Sequence, residues 1–171
     1  MNLAPCTCES PDYPLHLVDI LNVNETEAAD LARNLREKRG LRGGDAHQQQ
    51  QQQGQQEKTT VFERAQLNMQ ELTSSLPHCA VIITLGDHGV LATYFLEEER
   101  QSIYLPAFKT AVVETTGAGD TFVGYFLAQL ARGESFPRSL EVAGKAAALS
   151  VSRKGAMESI PRLKDVLAQM S

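Results

Sequence analysis

The feature that most constrains the fold is a short run in which apolar residues follow one another without polar alternation. Residues 80–85 read AVIITL, in which Val81, Ile82 and Ile83 are consecutive. A strand of this kind is covered on both faces, which is typical of α/β proteins with helices on either side of a largely parallel sheet. We therefore predict an α/β fold in layers, and the 171 residues suffice for one ordinary domain.

Extended and helical patterns alternate along the chain. The assignments follow from runs of branched apolar residues for strands and from three- and four-residue apolar spacing for helices. The predicted elements are a strand at 18–21, helices at 25–39 and 59–76, apolar strands on either side of a turn at 86–89, shorter strands within 103–108 and 110–113, and helices at 120–132 and 139–152. In such sheets ligands bind at the carboxyl ends of the strands, so the loops at those ends are the candidate site.

A glutamine-rich segment separates the first two predicted helices. Eight of the nine residues from Gln48 to Gln56 are glutamine. Such a composition cannot bury enough apolar surface to offset the entropy lost on ordering. We predict a disordered insertion at residues 40–58 and interpret it as an expanded surface loop, with a partner-binding segment as the alternative.

Charge, cysteine content and the first residues restrict the class of protein. The net charge of -5 gives no general attraction for nucleic acid or anionic lipid, so a small-molecule partner is expected. Cys6, Cys8 and Cys79 are interpreted as reduced thiols, since their number is odd and the first two are too closely spaced for the usual zinc motif. No signal peptide and no apolar run near the length of a membrane span is recognised. We expect a cytoplasmic location, with the nucleus as an alternative.

The segment TTGAGD at 115–120 precedes an apolar helical run. Gly117 and Gly119 permit positive φ, and the amides of Gly117, Ala118 and Gly119 could then converge on an anion at a helix start. Asp120 in the first turn could deprotonate a substrate hydroxyl. The alternative is an ordinary glycine turn in which Asp120 interacts only with the helix dipole, and these residues alone slightly favour it.

Two further loops have both a structural and a functional interpretation. The segment NETE places Asn24 and Glu27 at the spacing of a capping box, whereas the functional interpretation has Glu27 organise a hydrated Mg²⁺ beside phosphates. The glycines of TLGDHG, residues 84–89, let a flat ligand approach the backbone, although a hairpin turn explains them equally well. Each signal is weak when taken alone.

Taken together, these motifs resemble the ribokinase-like family of carbohydrate kinases. TTGAGDTFVGYF is similar to the C-terminal signature of that family, NETE to its N-x-x-E motif and TLGDHG to its T-L-G-x-x-G nucleotide loop, and SRKGAMESIP is similar to its cation-binding tail. The order and approximate spacing also match. The resemblance implies the nucleotide-binding part of a three-layer αβα sandwich over residues 1–171, without the N-terminal half that carries a diglycine motif and a β-sheet lid.

The resemblance also implies a role for each residue that matches a family motif. Asp120 would be the catalytic base, and the amides of Gly117, Ala118 and Gly119 would form the anion hole. Glu27 would organise Mg²⁺. The nucleotide site would contain Asn24, Thr84, Leu85, Gly86, Asp87, His88, Gly89, Gly119, Asp120 and Gly144. A potassium-type site would take oxygen ligands, largely backbone carbonyls, from Glu114, Thr116, Ser150, Arg153, Gly155 and Ser159.

Two residues depart from the family pattern. Glu114 stands where aspartate is usual, and Gly144 lacks the side chain that often lies beside the adenine. The implied reaction is transfer of the γ-phosphate of ATP to a sugar hydroxyl, foremost O5 of ribose, with fructose, adenosine or a keto-deoxy sugar acid as alternatives. The implied full-length protein could form a homodimer. A catalytically inactive nucleotide-binding or interaction fragment is the alternative from another class, and a truncated product is expected to be inactive alone.

Overall fold

A computed structural model of the chain describes residues 14–40 and 60–170. In chain order the strands are β1 (Ile20–Asn24), β2 (Ala80–Thr84), β3 (Val90–Leu96) and β4 (Glu99–Leu105), and the helices are α1 (Glu25–Lys38), α2 (Val61–Ser75), α3 (Ala118–Ala131), α4 (Phe136–Val151) and α5 (Leu163–Ala168). Short 3₁₀ turns occupy Leu15–Leu17 and Gly86–His88. The predicted insertion at 40–58 lies, except for Gly40, outside the described residues.

Within the described residues the four strands form one sheet in the order β1-β2-β3-β4. β1 and β2 run parallel, with Ile20 opposite Ala80 and Asn24 opposite Thr84. The connection between these strands contains α1 and α2, as expected for the crossover between two parallel strands. The prediction of an α/β fold is confirmed.

The chain divides into two compact units, neither of which is continuous in sequence. The first comprises residues 1–85 and 91–100, and the second comprises 86–90 and 101–171. The core of the first unit is formed by one face of β1 and β2 and by α1 and α2; its fully buried members include Leu21, Val23, Leu31, Leu72, Val81 and Ile83. Burying aliphatic side chains of this size stabilises the fold by roughly 1.5–3 kcal/mol each.

In the second unit α3 and α4 pack against each other, and α5 packs on α4. Val142, Ala146 and Leu149 of α4 bury Val166 of α5. Proline in the first turn and the Ser135 side chain at the N-cap fix the start of α4. That start lies three residues before the predicted one.

Arg100 joins the hairpin of β3 and β4 to the connection before β2. Its guanidinium donates hydrogen bonds to the carbonyls of Pro77 (2.7 Å) and Cys79 (3.0 Å) and to Thr93 Oγ1 (3.1 Å). The same group lies 4.6 Å from the centre of the Phe95 ring. Burial lowers the pKa of Arg100, and these neutral partners replace the water that the cation loses.

Several predicted boundaries were wrong and one prediction failed outright. The strand predicted within 103–108 is β4, which begins four residues earlier, at Glu99. β1 begins two residues later than the predicted strand at 18–21, and α3 begins two residues before Asp120. The run at 110–113 forms no strand: Val112 and Val113 are exposed, and the Val113 amide donates to the carbonyl of Val151 at the end of α4. That hydrogen bond takes the place of the strand pairing that the β-branched residues at 110–113 predicted. α5 was not predicted.

Candidate functional site

The start of α3 has the glycine turn that the sequence predicted, in a modified form. Gly117 is the N-cap and adopts a left-handed conformation with φ 78°. Gly119 has no positive φ and lies inside the first turn of the helix, so that part of the expectation was wrong. The Ala118 amide already donates to the Thr115 carbonyl (3.2 Å), and the Thr121 amide donates to Gly117 (2.9 Å). The amides in the remainder of the first turn have no helical acceptor.

Asp120 lies in this first turn, where the positive end of the helix dipole stabilises a carboxylate. Its side chain is exposed, and the part of the chain described here supplies no hydrogen-bond donor and no cation to it. The carboxylate is therefore accessible to an incoming substrate. The arrangement combines a helix start that attracts anions with a carboxylate that no other described side chain contacts.

The carboxyl ends of β1 and β2 bring Asn24 and Thr84 side by side. Asn24 also caps α1: its Oδ1 accepts from the Glu27 amide, and Glu27 Oε2 accepts from the Asn24 amide, both at 2.9 Å. Glu27 is only 8% exposed. The capping box expected from the spacing is therefore present, and it holds a buried carboxylate in a fixed position with one oxygen still available to other donors or ions.

The two glycines of TLGDHG have the positive φ that such a loop requires. Gly86 has φ 57° and Gly89 has φ 100°. A Cβ atom at Gly89 would lie 2.1 Å from the carbonyl oxygen of Leu105, so no other residue fits there. Leu85, which precedes the loop, is buried at 3% exposure. The backbone of the loop is thus held close to the end of β4.

The polar residues of this loop contact each other, and its backbone contacts β4. His88 Nδ1 lies 2.8 Å from Asp87 Oδ1, and both side chains are more than half exposed. Tyr104 Oη donates to the His88 carbonyl at 2.7 Å. Tyr104 was not identified from sequence, because its partner lies sixteen residues earlier and no local pattern links them.

The residues of the predicted cation site come from two segments that the second unit brings together. Glu114 Oε2 accepts a hydrogen bond from the Gly155 amide at 3.0 Å. Gly155 has φ 91°, and a Cβ atom there would meet Glu158 Oε2 at 2.7 Å. The longer side chain of Glu114 thus reaches across to the tail and binds its backbone, which places the two segments in contact.

The other predicted ligands lie in the same two segments. The Ser150 carbonyl accepts from the Arg153 amide (3.0 Å), and the hydroxyls of Ser150 and Ser159 donate to the carbonyls of Ala147 and Ala156. Thr116 is exposed directly before the N-cap of α3. The candidate ligands are neutral carbonyl and hydroxyl oxygens and one carboxylate. Such ligands suit a hard cation of low charge rather than a transition metal.

Gly144 on α4 faces the ring of Phe108. A Cβ atom at Gly144 would lie 3.6 Å from Phe108 Cε2, and the Lys145 ammonium lies 4.9 Å from the ring centre. The Phe108 ring therefore lies beside the position that a side chain at residue 144 would occupy. The sequence analysis included Phe108 only in a predicted strand within 103–108, because an isolated aromatic residue carries no specific signal for a binding site.

Tyr125 ties α3 to the tail of the chain. Its hydroxyl donates to the Pro161 carbonyl at 2.5 Å, which joins residues thirty-six positions apart. Burial, together with the negative charge of Asp165, raises the pKa of Tyr125. The contact fixes the segment that follows Gly155 relative to the helix that carries Asp120.

Comparison with known proteins assigns the family. The sequence profile of the pfkB family carbohydrate kinases matches residues 4–163. The chain belongs to the pfkB family of carbohydrate kinases. Within this family the chain is 34% identical over 151 residues to a ribokinase of Schizosaccharomyces pombe, a match that covers 88% of this chain and 46% of the relative.

Solved structures of ribokinases confirm the ribokinase-like fold. A ribokinase from Cryptococcus neoformans in complex with ADP superposes with a TM-score of 0.77 at 30% identity, covering 98% of this chain and 49% of that one. An Arabidopsis thaliana ribokinase with ribose and ATP gives 0.60 at 27% identity, covering 98% and 43%. The chain thus spans about half the length of the relatives it matches. Among the described helices, none has the length and hydropathy needed to cross a bilayer.

Proposed function

We propose that this chain supplies the nucleotide-binding and catalytic part of an ATP-dependent sugar kinase that phosphorylates O5 of ribose. The observation that carries the proposal is Asp120, an exposed carboxylate in the first turn of α3 directly after left-handed Gly117. The ligands of the relatives support it, since one was solved with ADP and another with ribose and ATP. Residues 1–171 are proposed to form one part of a larger kinase domain.

In the proposed reaction Asp120 accepts the proton of the sugar hydroxyl. The hydroxyl oxygen forms a bond to the γ-phosphorus of ATP, while the bond from that phosphorus to the β–γ bridging oxygen breaks. The electron pair leaves with ADP, and the proton on Asp120 passes to solvent. The helix dipole and the Gly119 amide, which has no acceptor within the helix, are proposed to stabilise the charge of the transferred group. The Ala118 amide contributes less, since it donates to the Thr115 carbonyl.

The remaining site residues bind and orient the nucleotide. Asn24, Thr84 and the loop from Leu85 to Gly89 are proposed to line the nucleotide site, with Gly144 near the base. Glu27 fits a role beside Mg²⁺, since this ion takes few protein carboxylates and keeps several waters. The described residues contain no group of three carboxylate, histidine or cysteine ligands that could hold a metal ion. Mg²⁺ would neutralise phosphate charge when bound.

A monovalent cation is proposed to bind between the two segments that Glu114 and Gly155 join. The candidate oxygens are those of Glu114, Thr116, Ser150, Arg153, Gly155 and Ser159. Because the Glu114 carboxylate is held by the Gly155 amide, an ion there would stabilise the tail next to the start of α3.

The proposal is tested by ADP release with ribose, fructose and adenosine as acceptors. The chain alone is expected to bind ADP weakly and to give no sugar-dependent turnover, because positioning of both substrates is required. Joined to the half of the Schizosaccharomyces pombe ribokinase that it does not match, it should turn over with ribose. Nucleotide binding without turnover in the joined protein would instead support an inactive nucleotide-binding module.

A further inference from the structure

The connection between β4 and α3, residues 106–117, forms no helix or strand, so individual contacts set its position. The amides of Val113 and Glu114 both donate to the Val151 carbonyl, at 2.7 Å and 3.1 Å. Val151 is the last residue of α4. These two bonds fix the connection on α4 shortly before the glycine turn that begins α3.

The tail loop, residues 152–162, follows α4 and is also irregular. Gly155 within it has φ 91°, a conformation that other residues rarely adopt, and a Cβ atom there would lie 2.7 Å from Glu158 Oε2. In this conformation the Gly155 amide donates to Glu114 Oε2 at 3.0 Å. One side chain thus ties the tail loop to the connection before α3.

The tail loop also packs against the first residue of the glycine turn. A Cβ atom built on Gly117 would lie 3.4 Å from the Ala156 carbonyl oxygen and 3.6 Å from the Ala156 Cβ atom. Gly117 is the N-cap of α3, and Asp120 lies in the first turn of that helix. Because Ala156 directly follows Gly155, the bond to Glu114 holds Ala156 at the start of α3.

The length of the glutamate side chain is necessary for this bond. An aspartate at position 114 would be one methylene shorter, so its carboxylate would lie about 1.5 Å farther back, outside the hydrogen-bonding range of the Gly155 amide. Glu114 is half-buried. A hydrogen bond to a carboxylate is also roughly twice as strong as one between neutral groups. The residue that departs from the family pattern is therefore the one that makes the contact.

We infer that Glu114 is a positioning residue for the proposed phosphoryl transfer. Through the Gly155 amide its carboxylate holds Ala156 against Gly117 and keeps the start of α3 in the arrangement that carries Asp120. The inference rests on the proposed function, since it states how the same site is held in place.

A consequence concerns the monovalent cation proposed for the same two segments. The bond between Glu114 and Gly155 joins these segments through protein atoms alone. The order of the glycine turn is thus supplied by the chain itself, and a bound cation adds little to it.

The test uses the chain and the fused kinase, in which the unmatched half of the Schizosaccharomyces pombe ribokinase precedes the chain. Glu114→Asp keeps the charge and loses the reach, whereas Glu114→Gln keeps the reach and one oxygen acceptor. Glu134→Asp is the matched control, because Glu134 is an exposed glutamate in the turn between α3 and α4. Each protein is measured in potassium chloride and in choline chloride at equal concentration, since choline is too large for a site of close oxygen ligands.

Hydrogen exchange without sugar or nucleotide reports the order of the two segments. In choline chloride the amides of Gly155 and of residues 118–121 should exchange roughly tenfold or more faster in Glu114→Asp than in the parent, while amides 142–149 of α4 keep their rates. Glu114→Gln should fall between the two, and Glu134→Asp should match the parent. The parent itself should change by about twofold or less between the two salts.

Turnover of the fused kinase reports the positioning. The kcat of Glu114→Asp should fall roughly tenfold or more in choline chloride, and KM for ATP should change by about twofold or less, because a misplaced group slows the transfer without removing a nucleotide contact.

Several results would overturn the inference. One is an unchanged Gly155 amide in Glu114→Asp, and another is faster exchange throughout α4, which would indicate a general loss of stability. A third is a parent whose amides 118–121 exchange roughly tenfold faster in choline chloride than in potassium chloride. This third result needs no variant, so it decides the matter even if Glu114→Asp does not fold. Equal effects of Glu134→Asp would also count against Glu114.

These readouts separate the role of Glu114 from the proposed reaction. A fused kinase without sugar-dependent turnover contradicts the proposed function and leaves the exchange result standing. Turnover with an unchanged kcat in Glu114→Asp supports the reaction and contradicts the positioning role.

Discussion

At the scale of single residues, Asp120 carries the sharpest prediction. Asp120→Asn keeps the size of the side chain but removes the proton acceptor, so turnover of the fused kinase should fall by roughly 10²–10⁴-fold while ADP affinity stays nearly the same. Asp165→Asn is the control, since Asp165 is also an acidic residue in the first turn of a helix. Steady-state ADP release and ADP titration measure the two effects.

If the turnover of Asp120→Asn stayed within about tenfold of the parent, the activation barrier would have changed by only ~1.4 kcal/mol. Asp120 would then not be the base. Equal losses for Asp165→Asn would show that the effect comes from the charge at a helix start and not from proton transfer.

Tyr125 predicts how stability depends on alkaline pH. Its pKa is raised on folding, so the protonated hydroxyl contributes stability that is fully present below the unfolded value of 10.0 and is lost as pH rises through the folded value. Tyr125→Phe removes the bond to Pro161 and should cost about 1 kcal/mol at pH 8. Urea unfolding should also show a shallower loss of stability above pH 10 in the variant.

The same decline above pH 10 in both proteins would mean that other groups cause it. The three remaining tyrosines are present in both proteins, so the difference between the two curves reports Tyr125 alone.

Residue patterns predicted the contacts that are local and missed those that are not. The capping box of Asn24 and Glu27 spans three residues and follows from spacing. The left-handed Gly117 was also foreseen, whereas Gly119 was misjudged because α3 begins one residue before it. Tyr125 and Pro161 meet only through the packing of α3 against the tail, which no local pattern records.

At the scale of elements, the hairpin between β3 and β4 has a turn that its sequence does not favour. Glu97 and Glu98 have φ values of 50° and 69°, the left-handed conformation at both central positions of a type I′ turn. Asn and Gly adopt it at lower cost. Replacing both residues, Glu97→Asn with Glu98→Gly, should stabilise the protein by about 1 kcal/mol.

The denaturation midpoint in urea measures this effect. Glu98→Ala is the control, because alanine removes the charge but retains the Cβ atom that disfavours positive φ. A gain of the same size from Glu98→Ala would assign the effect to charge.

The ion pairs between α1 and α2 set a minimum length for their connection. Arg64 near the start of α2 pairs with Glu25 at the start of α1, and Arg39 after α1 pairs with Glu71 late in α2. The two helices therefore run in the same direction. From the paired positions, the chain has to cover roughly 17–27 Å between Arg39 and Thr60 at 1.5 Å per helical residue.

Two deletions test this requirement. Removing residues 46–56 leaves a connection that reaches about 33 Å, so stability should change little, since closure entropy varies slowly with length. Removing residues 42–58 leaves a reach of about 14 Å at most, and the end of α1 should unwind. A clear fall in melting temperature after the shorter deletion would show that the segment packs on the helices.

Helices with long periodic patterns were predicted well. The short helix α5 and the run of β-branched residues at 110–113 were not. α1 and α2 agree with the sequence to within two residues at each end. The 110–113 run has strand-like residues, yet the end of α4 takes the hydrogen bond that a strand would need. α5 has only six residues, too few for a period to be recognised.

At the scale of the whole molecule, sequence motifs identified the family more firmly than any single site. TTGAGD alone slightly favoured a structural turn, and only the order of four motifs indicated a kinase. The profile match over residues 4–163 confirms that interpretation. What the motifs could not indicate is that Leu127, in the apolar stretch of α3, is 52% exposed.

The division of the chain into two interrupted units has a consequence for how such a gene can change. The polypeptide passes from the first unit to the second after Leu85, returns after Val90 and passes over again after Arg100. No single recombination point within codons 86 to 100 exchanges one unit intact, because every such crossover divides at least one of them. A crossover after Arg100 transfers α3 to α5 as one block but leaves residues 86–90 of the second unit behind, so it too fails to exchange a whole unit.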